Sequence, residues 1–140
     1  MSEDFSKNLI KEYKYWEVYI GANQNYLGRC VVWCKRSDAF DLADATIEEQ
    51  QELSLILPKL REASKKLFQG DWFNYLFLGN QTPHLHGHFL PRYKEPRTFM
   101  NIIFKDDLYG YYPDDRDEHN VTLPAEVLAA MRDAMAEALK

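Results

Sequence analysis

The sequence predicts an α+β fold: an antiparallel sheet of about five strands combined with one long and one short helix. Three observations carry the prediction. Short segments rich in aromatic and β-branched residues recur between stretches of turn chemistry. One long stretch, opened by a capping signal, places apolar residues at helical spacing. A second, shorter helical pattern closes the chain.

Taken in order, residues 14–20 read as a strand, and Gly21-Ala22-Asn23-Gln24-Asn25 supplies a turn. Residues 29–34 are an apolar run ended by Lys35-Arg36-Ser37-Asp38, so the two segments suggest an antiparallel hairpin. Thr46-Ile47-Glu48-Glu49 is a capping box, in which the threonine hydroxyl accepts from the third helical amide and Glu49 reaches back. Leu53, Ile56, Leu57, Leu60, Ala63 and Leu67 then follow helical spacing, with Gly70 as the stop. Pro58 falls inside that pattern, where a proline costs about 3 kcal/mol or a kink. The prediction is one kinked helix.

Residues 72–78 and 84–90 read as two further strands, neighbours across the short Gly79–Pro83 connection. Residues 93–121 show no dominant period. Their aromatics, Phe99, Phe104, Tyr109, Tyr111 and Tyr112, predict an ordered extended arm, because leaving so much apolar area in water is costly. Pro124 suits a first helical turn, and residues 124–139 follow as a helix with Leu128, Met131, Met135 and Leu139 on one face. A single domain over residues 1–140 is expected, the part from about residue 93 onward being the arm and short helix.

A chain of 140 residues can bury one real core, and 46% hydrophobic content excludes a disordered protein. The formal net charge of −5 argues against a general nucleic-acid binder, which needs a basic face. A small anion held by local donors stays compatible with it. The N-terminus has neither a basic nor an apolar leader segment, and no apolar run approaches a membrane span. Cys30 and Cys34, four positions apart on one strand, would lie roughly 13 Å apart, too far for a disulfide. A cytoplasmic protein with reduced thiols is expected, with neither membrane nor nucleic acid as a partner.

The chemistry concentrates in Pro83-His84-Leu85-His86-Gly87-His88-Phe89-Leu90-Pro91-Arg92, which holds three of the four histidines on alternate positions. On a strand all three project to one face, with Leu85 and Phe89 toward a core. Gly87 is expected to leave an opening where a ligand approaches the backbone. The residues by themselves leave three readings: satisfied structural histidines, a metal site such as zinc, or a row lying along a phosphate.

The pattern His84-Leu85-His86-Gly87-His88-Phe89-Leu90 followed by Pro91-Arg92 resembles the signature of the histidine triad (HIT) nucleotide hydrolases and transferases. Asn23 to Arg29 leading into Cys30-Val31-Val32, Phe40-Asp41-Leu42 before the long helix, and Leu78-Gly79-Asn80 before the triad add to the likeness. Phe104-Lys105-Asp106-Asp107 with Tyr109-Gly110 is similar to bacterial members of the kind that includes diadenosine tetraphosphate hydrolases.

The resemblance implies attack at the α-phosphate of a dinucleoside polyphosphate or adenosine phosphoramidate. His86 is the implied nucleophile and forms a nucleotidyl-histidine; His88 donates to a phosphate oxygen or the leaving group; His84 positions the other two. It further implies Asn80 and Thr82 as neutral hydrogen-bonders to substrate and Asn23 as a ribose contact. No metal is expected on the side chains, and no cofactor beyond a magnesium ion accompanying the nucleotide. A homodimer is implied, for which Trp72, Phe73 and Phe77 would be available. The competing functions are a nucleotide-binding regulatory protein with little turnover and a metal-binding protein. Arg29 stands where many members have a histidine; the simplest reading is a strand-end arginine paired to an acid, the other a polyphosphate contact. His119 is expected to be merely solvated.

Overall fold

The computed structural model describes residues 5–140, so the reading of Met1–Asp4 as part of a leaderless terminus lies outside the described residues. Strands β1 (Leu9–Glu12), β2 (Trp16–Ile20), β3 (Cys30–Cys34), β4 (Trp72–Leu76) and β5 (His86–Arg92) form one antiparallel sheet in the order β1-β2-β3-β5-β4. This is the α+β fold with five strands and two helices, α1 (Ile47–Phe68) and α2 (Ala125–Ala138).

Alternation along the strands gives the sheet two unlike faces. Trp16, Val18 and Ile20 on β2 and Cys30, Val32 and Cys34 on β3 are buried, and register places Gly87 and Phe89 of β5 beside them. Against that face pack Leu53, Ile56, Leu60 and Ala63 of α1 and Val127, Met131 and Met135 of α2. The opposite face carries Val31 and Trp33 of β3 with their partners His88 and His86 of β5.

α1 begins as expected: Thr46 and Glu49 complete the reciprocal cap. The helix runs through Pro58 without ending. Its left-handed terminal residue is Gln69 (φ 56°), one position before the expected glycine stop. Gly70 is small for another reason: a Cβ there would lie 2.9 Å from the Phe73 ring. Glu49 does more than cap. Its buried carboxylate accepts from Arg36 at 3.0 Å, and this guanidinium hydrogen bond draws its pKa down to about 2, tying β3 to the helix start.

β1 was not expected, and its sequence explains why: of Leu9-Ile10-Lys11-Glu12 only Ile10 is buried. The arm is not wholly extended either. It folds a hairpin of β6 (Arg97–Phe99) and β7 (Ile102–Phe104), turned by Met100 and Asn101, both at positive φ (48° and 67°). Such turns favour Asn-Gly pairs, so this one carried no recognisable signal.

Arg92 anchors the arm. Its side chain is almost wholly enclosed and donates to both Asp106 carboxylate oxygens (2.8 and 3.1 Å), to Asn74 Oδ1, and to the carbonyls of Leu108 and Tyr111. All five guanidinium N–H groups are thereby satisfied.

Among the described residues no helix is long and apolar enough to cross a membrane. Both cysteines are free and buried, and burial raises their pKa values. Of the three aromatics expected to serve pairing, Trp72 is 65% exposed, whereas Phe73 is in the core and Phe77 packs against it.

Candidate active site

His86 and His88 lie on the open face of β5, and His84 precedes the strand, held by its own contacts. His84 N–H donates to the Thr82 carbonyl at 2.8 Å, and Leu85 bonds to both Ala39 and Cys34 through its backbone. The turn is thus pinned to the end of β3, and His84 stacks on Trp33 with ring centroids 4.0 Å apart and planes 18° apart. Trp33 also faces His86 at 5.3 Å, and the His86 and His88 centroids are 5.3 Å apart, edge to face. The three rings form one row, with the Trp33 indole beneath the first two.

Hydrogen bonds assign the protons, because a carbonyl oxygen accepts and a guanidinium donates. His84 Nε2 lies 2.6 Å from the Cys34 carbonyl, so its proton is on Nε2. His86 Nδ1 lies 2.6 Å from the His84 carbonyl, so the Nδ1–H is donated there and Nε2 keeps a lone pair. His88 Nδ1 sits 3.4 Å from Arg29 Nη2, a long contact in which Nδ1 accepts and Nε2 carries the hydrogen. Burial, then the neighbouring Arg29 charge, then His86 push the His88 pKa down to about 4. His88 is therefore a neutral donor at pH 7. The row presents a free lone pair on one ring beside an N–H on the next.

Gly87 does not open the backbone to a ligand. A Cβ there would meet the Phe77 ring at 2.4 Å, on the core side of the sheet. The glycine admits the Phe77 ring against the strand between His86 and His88.

The other expected contacts are dispersed. Asn80 is exposed, and Thr82 is half-buried and touches His84 through its backbone. Asn23 uses its amide within the protein, donating to Asn120 Oδ1 at 2.9 Å and accepting from the Asn25 and Val121 N–H groups. It reaches the histidines only through Asn25, whose Oδ1 accepts from Arg29 Nη1 at 2.9 Å. Arg29 is not the acid-paired arginine expected: its partners are Asn25 and His88. His119 is not merely solvated, for its Nδ1 meets the Asp114 carboxylate.

The stacking of Trp33 on His84 and the contact between Arg29 and His88 were not legible in the sequence, because both arise from the packing of the β3 segment on the chain around β5. Alternation from Cys30, Val32 and Cys34 does place Trp33 on the open face, and that signal could have been followed. Among the described residues no group of three or more histidine, cysteine or acidic side chains is arranged to hold a metal ion.

The sequence pattern of the HIT domain matches residues 7–95. None of the curated proteins matches the chain. Among solved structures, a histidine triad protein from Bradyrhizobium japonicum superposes with a TM-score of 0.71 at 18% identity, covering 96% of this chain and 93% of its own. One from Marinobacter aquaeolei gives 0.70 at 21%, covering 96% and 91%. The diadenosine triphosphate hydrolase of Plasmodium falciparum gives 0.60 at 19%, covering 68% and 67%. At these identities the likeness is one of fold.

Proposed function

The chain belongs to the HIT domain family, and on that premise we propose that it is a nucleotidyl hydrolase or transferase in which His86 attacks the α-phosphate of a dinucleoside polyphosphate or adenosine phosphoramidate. The observation that carries the proposal is the 2.6 Å bond from His86 Nδ1–H to the His84 carbonyl. It fixes the tautomer whose Nε2 lone pair is free, and it stabilises the cation that forms when that nitrogen is phosphorylated. A neutral nucleophile also avoids the repulsion that an anionic one meets at a phosphate.

In the first step the Nε2–Pα bond forms and the bond from Pα to the leaving group breaks, the electron pair departing with that group. In the second, water attacks Pα, the electron pair of the Pα–Nε2 bond returns to the ring, and the water proton passes to solvent. His88 Nε2–H donates to the oxygens around phosphorus, and His84, clamped between Trp33 and the Cys34 carbonyl, holds the backbone that orients His86. Asn80 and Thr82 stand in the loop before the row as substrate contacts. Asn23 acts through Asn25 in this reading. A homodimer extends it, supported by the free backbone edge of β4 and the exposed Trp72 beside that edge.

The test is a product screen with diadenosine tri- and tetraphosphate and adenosine 5′-phosphoramidate, run in ¹⁸O-labelled water. The expected result is AMP carrying the label. His86→Ala is expected to lower turnover by roughly three orders of magnitude or more while nucleotide binding persists. A His86→Ala protein that hydrolyses these compounds at the wild-type rate sinks the proposal, as does a wild type that binds nucleotide and cleaves none of them.

A further inference from the structure

We infer that Arg29 is the seat of the leaving-group phosphate and makes this site selective for substrates that expel an oxyanion. The inference rests on the proposed attack by His86 and adds the class of bond that is broken.

The first argument is geometric. Arg29 is half-buried at the entrance to β3, with one N–H to Asn25 Oδ1 and another directed at His88 Nδ1. Both acceptors are neutral. No carboxylate lies within ion-pair distance among the described residues; Asp115 and Tyr26 act on it only from further off. A guanidinium withdrawn from water without an anionic partner is expensive, and its remaining N–H groups are a planar fork that suits phosphate oxygens. Arg92 is the contrast within the same chain, with its carboxylate in place and every N–H used.

The side chain is also held. Asn25 Nδ2 donates to the Asp114 carbonyl at 2.9 Å, and its N–H donates to Asn23 Oδ1 at 3.1 Å. Asn23 in turn is bonded to Asn120 and Val121 of the distant C-terminal segment. A chain of amides thus fixes Arg29 beside the row of histidines.

The second argument concerns the proton. The groups around His88 are Arg29, His86, and the apolar Val31 and Leu76 on the adjacent strands. None is an acid. His88 therefore stays neutral at pH 7 and can hydrogen-bond to a leaving group without protonating it. An amine leaving a phosphoramidate must take up a proton as the P–N bond breaks. A phosphate or nucleotide leaving a phosphoanhydride need not, since its second pKa is about 6 and it departs with the electron pair of the P–O bond as an oxyanion. That charge falls where His88 Nε2–H and the Arg29 fork can receive it.

The test measures kcat/KM of the full chain for diadenosine triphosphate and for adenosine 5′-phosphoramidate, in the wild type, Arg29→Met and Arg29→Lys. The wild type should prefer the anhydride. Arg29→Met should lower kcat/KM for the anhydride by about 30-fold or more, at least about tenfold beyond its effect on the phosphoramidate, and Arg29→Lys should recover part of the loss. The His88 imidazole, followed by NMR, should titrate higher in Arg29→Met, as loss of the adjacent positive charge requires, while the unequal loss on the two substrates is the change a merely structural arginine would not produce. Equal losses on both substrates, or a wild type that prefers the phosphoramidate, overturn the inference. A wild type that cleaves neither compound overturns the proposed function instead.

Discussion

Replacing Gly87 with alanine separates two accounts of the residue between the last two histidines. A Cβ at this position would lie 2.4, 2.5 and 2.8 Å from three atoms of the Phe77 ring, so something must move by about 1 Å to reach van der Waals contact. If the ring stays, β5 is pushed off its register, and overpacking of this kind costs about 1–3 kcal/mol. If the ring swings out, the cost is its burial, up to about 1.5–3 kcal/mol. Either route predicts a loss near 2 kcal/mol, roughly 5–7 °C in Tm for a chain of this size. The displaced strand carries His86 on one side and His88 on the other, and a misplacement of about 1 Å can lower turnover by about 10²-fold. Thermal unfolding and dinucleotide hydrolysis should therefore fall together. Adding Phe77→Leu should restore at least half of the lost stability. A Gly87→Ala protein as stable as the wild type but impaired in nucleotide binding would refute this reasoning and revive the view of Gly87 as a ligand approach.

Two further predictions concern what holds the site in place. Arg92→Met should cost about 3–5 kcal/mol in urea unfolding, because it strands the Asp106 carboxylate, whose side chain is 1% exposed; Arg92→Met with Asp106→Asn should recover part of this, and a single variant losing under about 1 kcal/mol would refute the anchor. Glu49 has a folded pKa drawn to about 2, below its unfolded value of about 4.5, so its contribution is complete above pH 4.5 and fades as pH falls toward 2. Glu49→Gln should be less stable at pH 7, and the gap from the wild type should narrow across that window, by on the order of 3 kcal/mol at most; a gap independent of pH would remove Arg36 as the cause.

Much of this was legible in the sequence because the relevant patterns are local. The capping box of Thr46 and Glu49 marks the start of α1; β-branched and aromatic composition marks β2, an apolar run marks β3 and alternate histidines mark β5, each to within two residues. What could not be read depends on contacts between distant segments. β1 is held by pairing with β2 and not by its own composition, and the turn at Met100-Asn101 lacks the residues that ordinarily announce it. In the site, His86 and His88 share a face by period two, whereas His84 lies before β5 and is set in the row by its turn and by Trp33. Alternation along β3 puts Trp33 on the open face, but its place under His84 and His86, like that of the Arg29 guanidinium beside His88, follows from how the β3 segment faces β5. Arg92 was visible as part of a motif, but its partner Asp106 lies fourteen residues on, across a hairpin that the sequence did not disclose.

The indole under the row has a practical use. Of the chain's three tryptophans, Trp16 is fully enclosed against α1 and Trp72 stands at the outer border of the sheet, so Trp33 alone touches the imidazoles. Its emission depends on the ring stacked upon it. The protein therefore carries a fluorophore inside its proposed reaction centre, and titration with unlabelled nucleotide should change the light that Trp33 gives back.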